Sequence, residues 1–134
     1  MAGKSDYLES KVLDHILGLT TYTPPANVYV ALFTAAPTDA GTGGSEVTGG
    51  SYARATVVNN TTNFPNAVAG VKSNGVAIDF PAATAPWGTV VAVGIYDALV
   101  SGNLLYWTTL PASRTVNIGD IVGFAINQLQ FTED

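Results

Sequence analysis

Chemistry at a protein site needs particular side chains within reach of one another, and this chain supplies few of them. It has one histidine, His15, set between Asp14 and Ile16. A nucleophilic triad would have to pass its proton through that imidazole. No G-x-S-x-G elbow accompanies it, and a place near the negative end of a helix accounts for it without catalysis. Ten carboxylates are present, and a glycosidase pair needs only two at the right separation in space. Sequence spacing does not test that separation. Asp79, Asp97 and Asp120 fall at expected strand ends or turns, where aspartate serves turn geometry. Asp39 and Glu46 share a loop, but no D-x-[DN]-x-[DN]-G calcium pattern surrounds them. The chain has no cysteine, which removes disulfides, thiol nucleophiles and Cys-based metal sites. The expectation is a protein that is not an enzyme and has no cofactor or metal.

Binding chemistry is better represented. Trp87, Trp107, Tyr96 and Tyr106 would suit a carbohydrate platform, although aromatics in strand-rich chains more often anchor cores and interfaces. Arg54 and Arg114 each lie in an expected strand with almost uncharged neighbours. Such an arginine snorkels, pairs with a carboxylate such as Asp79, or reaches another subunit. The five cations, Lys4, Lys11, Arg54, Lys72 and Arg114, are scattered, so no basic stripe for nucleic acid is expected. Residues 35–50 hold five glycines. They lack the G-x-x-x-x-G-K-[ST] pattern and a following helix, so they are not a phosphate loop.

Only 11% of the 134 residues are charged, and the formal net charge is -5. A soluble domain typically carries about 25%. No run of about 18 apolar residues marks a membrane span, and the opening MAGKSDYLES carries no apolar signal core. A surface made of Thr, Ser, Asn, Gly, Ala and Val is expected to be covered by partners. The length fits one domain, residues 1–134, with one core of its own.

The elements that would position these residues are mostly strands. Residues 1–20 form an N-terminal helical arm. Ser5 is its N-cap, Asp6 and Glu9 favour its positive end, Leu8, Val12, Leu13 and Ile16 form an apolar side, and Gly18 stops it. Thr23, Pro24 and Pro25 enforce an extended entry into a strand over 27–34 whose two faces are both apolar. Residues 35–50 read as a long loop, mobile or ordered on a partner. Further strands are expected over 51–58, over 71–80 with a turn at 73–75, over 87–96, over 104–110, over 114–118 and over 121–131. Turns fall at 97–102, 111–113 and 119–120. This spacing predicts an all-β, single-domain antiparallel β-sandwich or jelly roll with a short N-terminal α-helix.

Several of these segments, taken in order, resemble a known family. They are Asp6-Tyr7-Leu8-Glu9, Leu13-Asp14-His15, Thr23-Pro24-Pro25, Val28-Tyr29-Val30-Ala31-Leu32-Phe33, Ala36-Pro37-Thr38-Asp39, and Glu46 ahead of Gly50-Ser51-Tyr52-Ala53-Arg54. Gly94-Ile95-Tyr96-Asp97 and Leu104-Leu105-Tyr106-Trp107 follow. Together they are similar to small tailed-bacteriophage virion proteins, labelled capsid cement (decoration) proteins or tail fibre proteins. The resemblance implies a structural protein made in the host cytoplasm and assembled in many copies on the virion. The leading expectation is a cement protein on the capsid surface. It would bind the major capsid protein and further copies of itself as a dimer or trimer, and stabilise the shell by mass action and multivalency. A tail or tail-fibre component is the alternative, and a carbohydrate- or receptor-binding module the further one. No nucleic acid or membrane partner is expected. The residues nominated for partner contact are Tyr7, Leu8, Pro37, Asp39, Glu46, Tyr52, Arg54, Trp87 and Arg114.

Overall fold

The run Asn27–Ala35 (β2) organises the molecule. Val28, Val30 and Leu32 turn into the main core, while Ala31 and Phe33 are buried on the opposite face. A strand apolar on both faces has to lie inside a sheet with cover on each side, and β2 does. The computed structural model describes residues 2–133, and residues 1 and 134, the outermost ends of the predicted domain, lie outside it. Along one edge β2 pairs antiparallel with Gly88–Tyr96 (β7). Along the other edge two short strands share it, Ser45–Glu46 (β3) beside Phe33 and Ala35, and Ala55–Val58 (β4) beside residues 27–30.

Outward from β7 lies Leu104–Val116 (β8), and on its far edge Gly3–Lys4 (β1), completing a six-stranded antiparallel sheet. Residues 97–103 turn β7 into β8, and Asp97 closes them by accepting the Asn103 N–H at 2.7 Å and its side-chain amide at 2.9 Å. The second layer is two separate two-stranded ribbons. Val71–Ser73 (β5) pairs with Gln130–Thr132 (β10), and Ile78–Asp79 (β6) pairs with Gly123–Phe124 (β9). Ile78, Phe80, Val122 and Leu129 from this layer meet Val30, Leu32, Val93 and Ile95 of the sheet in one core. The all-β antiparallel expectation holds. The four-plus-four division of strands in a jelly roll is not what these ribbons form.

The helix Asp6–Ile16 (α1) begins as its sequence requires. The Ser5 hydroxyl accepts the Leu8 N–H at 3.3 Å, with Asp6 and Glu9 in the first turn and Gly18 just past the end.

Four sequence expectations differ from the structure. Residues 111–113 are not a turn: β8 runs through them as a bulge, because Arg114 pairs with Val90 while Thr109 pairs with Ala92. A bulge is where a strand tolerates Pro111, which has no N–H to give. The strand expected from residue 51 starts only at Ala55, because the turn closed by the Tyr52 N–H to the Gly49 carbonyl precedes it and β2 pairs only from Ala55 on. Residues 121–131, expected as one strand, are interrupted, as residues 71–80 are at their expected turn, and Asn74 bridges both. Its fully buried side chain donates to the carbonyls of Val76 (2.8 Å) and Ala125 (2.9 Å) and accepts the Leu129 N–H (2.9 Å). It thus takes the place of ladder hydrogen bonds where the ribbons diverge. Residues 35–50 are tied down rather than loose. Val47 is buried, its N–H reaches the Leu32 carbonyl, and the Thr38 and Thr42 backbones close a tight turn.

Candidate interaction surfaces

On the edge of β2, the gap between β3 and β4 leaves the Leu32 N–H without a strand partner. Tyr52 fills it: its hydroxyl accepts that N–H at 3.0 Å and donates to Glu46 Oε2 at 2.7 Å. Arg54 completes the cluster. Its guanidinium forks onto Glu46, Nε to Oε2 at 2.9 Å and Nη2 to Oε1 at 2.8 Å. Nη1 reaches the carbonyls of Ala98 (2.8 Å) and Ser101 (2.7 Å) in the β7–β8 turn, and the group lies 3.7 Å from the centroid of the Tyr96 ring. Only 7% of the Arg54 side chain is exposed. Burial works against its charge, but the hydrogen bonds and charge of Glu46 outweigh burial, and the pKa of Arg54 is raised. Burial pushes the Tyr52 phenol up, and the bond to Glu46 adds to it against the opposing Leu32 N–H. Glu46, Tyr52 and Arg54 therefore form an internal clasp joining β2, β3 and the β7–β8 turn.

Of the other nominated residues, Leu8, Pro37 and Trp87 are buried within the chain, which corrects their assignment as partner contacts. Trp87 packs edge-on against Tyr52, and its indole N–H goes to the Gly50 carbonyl at 2.9 Å. That close approach is why residue 50 is glycine: a Cβ there would stand 2.9 Å from the indole, at a φ of +58°. Tyr7 is half-buried, with Lys11 Nζ 5.6 Å from its ring centroid. Arg114 is exposed on β8 and, among the described residues, makes no ion pair; Arg54 pairs with Glu46 and not with Asp79. His15 is exposed, and its Nδ1 accepts the Tyr22 N–H at 3.3 Å.

Two outward-facing features remain. The first is the end of the molecule carrying α1. Leu8 is buried beneath the helix, but Leu13, Ile16 and Leu17 are 60%, 67% and 75% exposed. They stand at i, i+3 and i+4, so they share one helix face. Of the apolar side read from the sequence, Leu8 is thus buried and Val12 half-buried, while the rest faces solvent. Beside the helix lies an apolar cleft of about 370 Å³, lined by Leu8, Val12, Tyr22, Phe64, Tyr106 and Phe131. Burial, the Glu133 charge and Tyr22 push the Tyr106 phenol there up to about 12. The sequence signal for this surface was the helix itself, whose apolar residues are too many for one buried face.

The second is Trp107. Its indole N–H donates to Asp39 Oδ1 at 2.7 Å, and the Asp39 carbonyl accepts the Asp6 N–H at 2.9 Å at the start of α1. Asp39, nominated from the loop, thus meets a tryptophan that was singled out separately as a platform.

A family model described as podophage GP4 fiber I protein gp80 matches residues 3–132, nearly the whole chain. No curated protein matches it.

Proposed function

The chain belongs to the family of the podophage GP4 fiber I protein gp80, a family of phage virion structural proteins, and on that premise we propose that it is a non-enzymatic subunit of a bacteriophage fibre. The family description favours a fibre over the capsid surface and the major capsid protein. The observation that carries an assembling, structural role is the open apolar stripe of Leu13, Ile16 and Leu17. Fully burying each such side chain contributes about 2 kcal/mol. An isologous contact between two copies covers both stripes at once, and repetition along a fibre multiplies modest contacts into a lasting one.

The clasp and the Asn74 junction support the same reading. They hold loops rigid without a disulfide, so the surface offered to neighbours is already formed and little ordering entropy opposes assembly. Antibody-labelled electron microscopy of purified virions, with copy number from quantitative mass spectrometry, tests the placement. Label on fibres at low copy number is the expected result. Label spread over the head at hundreds of copies would overturn it in favour of a cement protein.

A further inference from the structure

Trp107 has unusual surroundings for a tryptophan in a sheet. In antiparallel strands, directly opposed residues stand on the same face. The residues opposite Trp107 are Gly94 on β7 and Gly3 on β1, so no directly opposed side chain lies against the indole. Gly94 has a packing reason, since a Cβ there would lie 2.9 Å from Leu104 and 3.0 Å from Phe33. Gly3 has none. Its backbone is outside the left-handed region, and among the described residues a Cβ would meet nothing within 4 Å. Glycine weakens a strand, so the fold itself would be better served by another residue. What glycine does at position 3 is leave open space beside the indole.

Polar groups converge on that space. The indole ring is oriented by its bond to Asp39 Oδ1. Asp39 is exposed, and among the described residues only its Oδ1 takes part in a side-chain hydrogen bond, which leaves Oδ2 as an acceptor. Thr109 follows two residues along β8 on the same face, its hydroxyl exposed. Gly3, Asp39, Trp107, Thr108 and Thr109 bound a shallow cleft of about 270 Å³, just below the range of drug-sized ligand pockets, about 300–1,000 Å³, and suited to a single small ring. A flat aromatic plate with an ionised acceptor and a hydroxyl at its rim matches a ring that is apolar on one face and hydroxylated around its edge. The carboxylate and the net charge of -5 disfavour anionic rings.

We propose that Trp107, Asp39, Thr109 and the gap left by Gly3 form a binding subsite for one neutral hexopyranose ring. Trp107 stacks on the apolar face of the sugar, and Asp39 accepts hydrogen bonds from two of its hydroxyls. The assignment goes beyond the fibre reading and stands apart from it: it is read on the isolated chain, whereas placement is read on virions.

The two tryptophans give two indole N–H signals in an NMR spectrum, and the buried Trp87 is the internal control. The full chain is titrated with the methyl pyranosides of glucose, galactose, mannose and N-acetylglucosamine, and with glucuronic acid, to about 50 mM. One ring on one plate binds with a Kd on the order of millimolar. The expected result is a saturable shift of the Trp107 signal with at least one neutral glycoside, an unmoved Trp87 signal, and at least tenfold weaker binding of glucuronic acid. Gly3→Val fills the gap and is expected to abolish the shift while leaving the melting temperature unchanged or higher. Asp39→Asn leaves β1 untouched and is expected to weaken binding about tenfold, so it carries the test if Gly3→Val disturbs the edge strand. No shift with any neutral glycoside, an undiminished shift in either variant, or equal binding of glucuronic acid overturns the proposal.

Discussion

Replacing Arg54 with alanine should destabilise the protein far more than loss of an ordinary surface ion pair. The guanidinium makes four hydrogen bonds of 2.7–2.9 Å and stacks on Tyr96. Each charge-assisted bond is worth about 1.5–3 kcal/mol net, and a largely desolvated cation–π contact about 2 kcal/mol. Against these stands the cost of taking two ions out of water, several kcal/mol each. The sum for the intact pair is therefore small. Breaking it is different: Glu46 keeps its desolvation and loses its partner, which costs about 3–5 kcal/mol. Given 134 residues, that lowers Tm by about 10–20 °C. The pair of Lys4 with Glu133, whose carboxylate is at the surface, sets the contrast, since surface pairs contribute about 0–1 kcal/mol.

Urea unfolding at neutral pH, followed by tryptophan fluorescence, measures the difference. Arg54→Lys keeps the charge but loses the fork and the stack, and should fall between alanine and wild type. The double variant Glu46→Leu with Arg54→Met removes both charges together, so it should be less destabilised than Arg54→Ala alone despite the larger change. A loss below about 1 kcal/mol for Arg54→Ala, the surface-pair value, would refute the assignment of these residues as a clasp. So would strict additivity of the Glu46 and Arg54 single substitutions.

Three further outcomes follow from other parts of the molecule. Asn74→Ala leaves two carbonyls and an N–H without partners where the ribbons diverge, at about 1–3 kcal/mol for each group left buried. It should cost about 3–5 kcal/mol by urea unfolding, with hydrogen exchange first accelerating at 122–132. Tyr52 and Tyr106 carry raised phenol pKa values, Tyr106 at about 12. A group raised in the folded state contributes stability that is whole below its unfolded pKa, about 10, and is lost as pH climbs through the folded value. The urea midpoint should therefore decline above about pH 10, by up to about 1.4 kcal/mol per pH unit for each such tyrosine. Tyrosinate absorbance showing all the phenols ionising near pH 10 in still-folded protein would contradict this. Finally, Leu13→Ser with Ile16→Ser should shift the chain toward monomer in sedimentation velocity without lowering Tm, because both side chains are already exposed.

What the sequence made legible were the segments whose own pattern contains the answer. β2 and β7 show it in apolar residues on both faces, and α1 shows it in Ser5 ahead of Asp6 and Glu9. What it hid were structures fixed by distant partners. β1 is two residues long, with nothing in Gly3–Lys4 to mark it; it is a strand because the edge of β8 offers it hydrogen bonds. The Pro111 bulge looked like a turn because proline punctuates both. Arg54 stood out as a lone cation needing a carboxylate, but Asp79 was the suggested partner. The real one, Glu46, lies eight residues earlier, brought round by the turn at Gly49 and Gly50, which is closed by the Tyr52 N–H to the Gly49 carbonyl. Trp87 and Trp107 were indistinguishable as residue types, and only their positions separate a core anchor from a half-buried plate on β8.

The same distances bear on why so few charges suffice. Of five cations, Arg54 is enclosed in the clasp and Lys4 is paired with Glu133. Lys11, Lys72 and Arg114 are the basic groups outside these ion pairs, against ten carboxylates over the whole chain. Solitary proteins use dense mixed charge on their surfaces to oppose self-association. Here that opposition is thin, and the thinness coincides with an apolar helix face open to solvent. A contact between copies at this face breaks neither ion pair, so apolar burial is opposed chiefly by the like charges that the two helices bring together. Glu9, Lys11 and Asp14 flank the stripe on α1, within about 10 Å, the screening length at 0.1 M salt, so association of two copies at this face should strengthen as salt screens the net repulsion. An assembly built on opposed charges would instead come apart as salt is raised.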